Sequence, residues 1–156
     1  MIDHMWRDFL VRYCSGAVVP FRAEFTCGSL TSRTVDGLLA QEAQGSGLSV
    51  MLGRFTVVQR HRLNLASGQI SDGSYTLTAA NGERIFGRYS AGLDRVPGCQ
   101  GVLRGRGNWT IEGGSGRFAG ARGGGIAMIS CLADGASSTM LEGTIDAAGC
   151  VEPSSC

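Results

Sequence analysis

Two tyrosines, a tryptophan and a few carboxylates are the groups in this sequence whose types and spacing could do chemistry. Tyr75 and Tyr89 share an alternating phase with Leu77, Ile85, Leu103, Trp109 and Ile111, and Phe55 and Val57 continue it. The opposite phase carries Thr76, Thr78, Arg84, Arg88, Ser90, Arg104, Arg106, Asn108 and Thr110, nearly all polar. A period of two with one apolar face is the pattern of half-buried strands, so the tyrosines and the indole point inward. A buried hydroxyl or indole N–H left unpaired costs about 1–3 kcal/mol. The interior is therefore either a cavity holding water or ligand, or a solid core whose tyrosines reach the rim.

Glu24, Glu42, Glu112 and Glu142 also fall in strand-like segments. Any one facing inward would have its pKa raised by desolvation and could act as a general acid or base. Glu142, between Leu141 and Gly143 with Met140 and Thr144 on its phase, is the candidate; the alternative is that all four face solvent.

Other chemistries lack their residues. Every basic residue is an arginine, so Schiff-base lysine chemistry is excluded. The Gly113–Gly116 run lacks a following Gly-Lys-Ser/Thr and an apolar helix, and reads as a turn rather than a phosphate loop. His4 and His61 are far apart, and His61 sits between Arg60 and Arg62, whose charges oppose a zinc ion. Ser115 lacks Gly-x-Ser-x-Gly spacing. No metal and no cofactor is expected. Cys14, Cys27, Cys99, Cys131, Cys150 and Cys156 form no Cys-x-x-Cys pair. Cys150 and Cys156 are near enough to close a C-terminal loop, yet cysteine also serves as a small buried apolar residue, and reduced or partly paired thiols are expected.

The elements that position these groups are strands. Segments near 17–27, 33–43, 48–65, 73–80, 83–92, 101–112, 124–133 and 137–146 alternate, and Asn81-Gly82 is a strong hairpin signal. Ser71-Asp72-Gly73, Pro97-Gly98 and Ala133-Asp134-Gly135 are weaker turn signals. Eight strands without long helices between them predict an all-β fold, a single eight-stranded antiparallel β-barrel, whose interior has room for packed side chains or one small ligand. The stretch Gly105–Gly125 contains a strand, a glycine-forced turn and the next strand, and Phe118, its one large apolar turn residue, is expected to plug one barrel end.

The 156 residues make one domain, with 1–16 as an N-terminal extension and 147–156 as a C-terminal tail. In the extension, Met5, Trp6, Phe9, Leu10 and Tyr13 fall on one helical face, as a short helix packed on the barrel or as a lid over its mouth. The extension carries too many charges for a signal peptide, so a cytoplasmic location is expected. No stretch is long and apolar enough for a membrane-spanning helix. A net charge of +1 predicts neither nucleic acid nor an anionic membrane as partner.

The segment Gly113-Gly114-Ser115-Gly116-Arg117-Phe118-Ala119-Gly120-Ala121-Arg122-Gly123 resembles a signature of small bacterial barrels similar to allene oxide cyclase and to plant dirigent proteins. Leu52–Val57, Tyr75–Glu83 and Gly87–Gly92 fit it in the expected order, so the resemblance spans roughly Gly45 to Ile145. Ser115 and Arg122 replace the more usual threonines, which touches the turn. The resemblance implies a cofactor-free cyclase that folds a flexible polyketide-like or lipid-derived substrate in an apolar lumen. Tyr75, Tyr89 and Glu142 would be the catalytic candidates, and Phe55, Leu77, Trp109, Phe118 and Met128 would contact the small apolar substrate. It also implies a homo-oligomer packed through outer sheets. The alternative is a non-catalytic small-molecule-binding or structural barrel.

Overall fold

Period-two alternation closes into a ring. The computed structural model describes residues 18–147, in which eight strands, β1 (Val18–Val35), β2 (Leu38–Ser49), β3 (Gly53–Leu63), β4 (Gln69–Ala79), β5 (Arg84–Arg95), β6 (Leu103–Gly114), β7 (Arg122–Cys131) and β8 (Ser137–Asp146), form a closed barrel in sequence order. Every neighbouring pair is antiparallel, including β1 with β8, so no sheet edge is left open. No helix among the described residues is long and apolar enough to cross a membrane. The expected N-terminal helix or lid lies outside the described residues.

Two boundaries depart from the sequence reading. The first hairpin turns at Asp36-Gly37, not within residues 28–32, so β1 is longer, β2 begins and ends later, and β3 starts later than expected. Both turn residues have positive φ, 52° and 79°, as a type I′ hairpin requires, and Asp-Gly supplies it. Ser71-Asp72-Gly73 is no turn between strands; it lies inside β4, where the register with β5 shifts between Ile70 and Gly73. The Asn81-Gly82, Pro97-Gly98 and Ala133-Asp134-Gly135 turns lie between strands.

The two barrel ends differ. The β2–β3, β4–β5 and β6–β7 connections share one end with Val18 and Asp146. There Phe118, in a 3-10 turn spanning Gly116–Phe118, is fully buried, and Leu52, Ile85, Ala121 and Ile145 belong to the same apolar cluster. Glu83 pins this plug by accepting hydrogen bonds from the Arg117 backbone N–H (2.6 Å), the Arg117 Nε (2.8 Å) and the Asn81 amide (2.6 Å). Of the polar phase, the arginines, Ser90, Asn108 and Thr110 are exposed, whereas Thr76 and Thr78 are half-buried.

Candidate functional site

Among the described residues, the end bearing the β1–β2, β3–β4, β5–β6 and β7–β8 connections is open and leads into a lumen of about 230 Å³. Its floor is formed by Phe25, Trp109 and Leu141, and Leu39, Leu63, Leu93 and Leu103 form a collar nearer the mouth. Leu30, Leu65 and Leu132 continue the collar to the rim, where they are 39%, 64% and 50% exposed. Exposed leucines joined to an apolar cavity mark an entrance rather than isolated surface residues.

A polar belt lies between floor and collar. The Tyr89 hydroxyl is 2.5 Å from His61 Nδ1, and His61 Nε2 is 2.9 Å from Gln41 Oε1. Because Gln41 Oε1 can only accept, Nε2 carries the ring proton and Nδ1 accepts from Tyr89. The Gln41 amide nitrogen in turn donates to Ser32 Oγ at 3.5 Å. Burial lowers the His61 pKa from 6.5 to about 4, so the ring is neutral at physiological pH. Burial likewise raises the Tyr89 pKa, with Cys27 and Cys131 adding to the effect, and Tyr75 is raised by burial and then by Glu112. Both hydroxyls therefore keep their protons.

The other two aromatic donors are satisfied by the barrel wall. Tyr75 lies across its register partner Gly87 and donates to the Thr110 carbonyl of β6 at 2.7 Å. Trp109, opposite Gly125, donates from Nε1 to the Ile126 carbonyl at 3.0 Å. The need of buried tyrosines and indole for partners is thus met mostly by backbone, and the cavity arises from small inward residues such as Ala43, Ala127 and Thr139.

Of the residues selected from sequence, Tyr75, Tyr89 and Trp109 line the lumen. Phe55 and Leu77 are buried towards the plugged end without lining it, and Phe118 closes that end. Glu142 and Met128 stand elsewhere. The inward phase of β8 is Leu141, Gly143 and Ile145, which turns Glu142 outward to within 3.8 Å of Arg22 on the surface. In β7 the inward residues are Ala127 and Ile129, so Met128 is outside, 48% exposed and 3.7 Å from an Arg106 nitrogen. Neither reaches the lumen.

His61, Gln41 and Gln59 were missed. The signal was the β3 phase itself: extending Phe55 and Val57 by two-residue steps gives Gln59, His61 and Leu63, and Gln41 is the register partner of His61. The flanking arginines do not share its environment, because alternation sends Arg60 and Arg62 outward, where they meet Glu42 at 3.0 Å and Asp72 at 3.9 Å.

Cys27, Cys99 and Cys131 are free thiols; the other three cysteines lie outside the described residues. Among the described residues, no three His, Cys, Asp or Glu side chains converge as metal ligands would. Compared with known protein families, with curated proteins and with solved structures, the chain matches none.

Proposed function

We propose that this protein admits a small apolar molecule through the leucine rim and promotes a ring closure in it without a cofactor. The observation that supports this reading most is the mainly apolar lumen, open at one end among the described residues, with a hydrogen-bonded belt centred on Tyr89 and His61. Confinement brings the two ends of a flexible chain together and removes entropy the free chain would lose in the transition state. The closure is an isomerisation in which π electrons become ring σ bonds and no atom is gained or lost. The Tyr89 hydroxyl, re-aimed from His61 towards a bound carbonyl, would polarise it. The resemblance of the Gly113–Gly123 segment to allene oxide cyclase-like barrels agrees with this reading.

A second reading, capture without turnover, is favoured by one observation: Tyr75, Trp109 and Tyr89 already spend their protons on Thr110, Ile126 and His61. The two readings separate when the protein is incubated with linear polyenes bearing a carbonyl. Catalysis yields a cyclic isomer of the same mass in molar excess over protein, and Tyr89→Phe lowers its rate. Stoichiometric capture of unchanged polyene supports the carrier, and no capture contradicts both.

A further inference from the structure

We propose that the lumen selects uncharged ligands, with an amide, ketone or hydroxyl as their polar group, and rejects carboxylates and phosphates on the same apolar chain. This rests on reading the lumen as a binding site. Among the described residues, no Arg, Asp or Glu lines it. The arginines nearest in sequence, Arg60 and Arg62, are held outside the wall by Glu42 and Asp72. Both ring nitrogens of His61 are engaged, one as acceptor from Tyr89 and one as donor to Gln41. An anion entering this belt would lose its hydration and meet no opposite charge, a cost far above that of burying a neutral hydrogen-bonding group.

Gln59 supplies the neutral partner. It faces the lumen between its register neighbours Ala43 and Tyr75, and its side-chain amide makes no hydrogen bond among the described residues. A primary amide offers both donors and an acceptor. It therefore complements another amide, a ketone or an alcohol, and Ala43 leaves the space beside it open.

The test uses toluene, octanamide and octanoate at pH 8, titrated against the full chain carrying Trp6→Phe, so that Trp109 in the lumen is the fluorophore. Octanamide is expected to bind at least tenfold more tightly than octanoate. Gln59→Leu should weaken octanamide at least fivefold while toluene binds as before, and Gln59→Arg should move the preference towards octanoate at least tenfold. Octanoate binding as tightly as octanamide, or octanamide unaffected by Gln59→Leu, would overturn the proposal while leaving the lumen intact as a site. Failure of all three probes to bind would instead overturn the lumen reading itself.

Discussion

The Tyr89 hydroxyl meets His61 Nδ1 at 2.5 Å although their strands, β5 and β3, do not pair with each other. β4 runs between them, and its Gly73, the register partner of Tyr89, leaves the space over which the two side chains join. The β3–β4 register also shifts between Arg60 and Arg62, around His61. The extra residue belongs to β4, because Arg60 and Arg62 of β3 face Ser74 and Ser71, so β3 keeps its alternation and carries His61 inward to a tyrosine two strands away.

Gly73 is therefore expected to be intolerant of a side chain. A Cβ there would lie 2.8 Å from the Tyr89 ring, and Gly73→Ala should cost about 1–3 kcal/mol by overpacking. Gly92→Ala, whose Cβ would meet nothing nearer than 3.9 Å, should stay within about 0.5 kcal/mol of wild type. Urea denaturation of both variants checks the contrast.

Tyr89→Phe leaves His61 Nδ1 without its donor and should destabilise the barrel by about 1–3 kcal/mol. Because both residues share one contact, Tyr89→Phe and His61→Leu should be non-additive by about 0.5–3 kcal/mol in a double-mutant cycle. Strict additivity would mean that the contact contributes nothing.

The same histidine gives a pH dependence. Its folded pKa, about 4, lies below the ordinary 6.5, so between these values the unfolded chain binds the extra proton. Stability from neutral burial is then complete above about pH 6.5 and is lost as the pH falls towards 4. Unfolding free energies across this window should slope in wild type and flatten in His61→Gln.

Much of the barrel was legible in the sequence because alternation and turn residues act locally. Tyr75, Tyr89 and Trp109 were placed inward by phase alone. What was not legible depended on which of two phases faces in when both are mixed: Glu142 has apolar Met140 on its own phase, and only the pairing of β8 with β1 and β7 decides that both face out. His61 was hidden for the opposite reason, since a charged neighbourhood along the chain becomes the opposite face of the wall in a strand. The Asp36-Gly37 turn was visible as a dipeptide, but the alternation beyond Cys27 carries polar residues on both faces and gives no boundary.

The plugged end supplies a separate acid response. Burial alone would raise the Glu83 pKa; hydrogen bonds from Arg117 and Asn81 and the Arg117 charge outweigh it and lower it. With the folded pKa below the unfolded one, this contribution is present above the usual carboxylate range and is lost as pH falls through the folded value. Glu83→Ala should cost about 1–3 kcal/mol at pH 7, since it removes the carboxylate that accepts from the Arg117 backbone, the Arg117 guanidinium and Asn81. At pH 3 the gap between variant and wild type should shrink, as denaturation curves at the two pH values will report.

The central claim, that the lumen itself receives an apolar ligand, is tested most directly by isoleucine-methyl NMR during titration with cyclohexanone. Ile70 and Ile129 line the lumen, Ile85 and Ile145 are buried at the plugged end, and Ile126 is exposed on the outer wall. Saturable shifts at Ile70 and Ile129, with Ile85, Ile145 and Ile126 unmoved, are the expected result. Shifts confined to Ile126, or none at any concentration, would contradict the account.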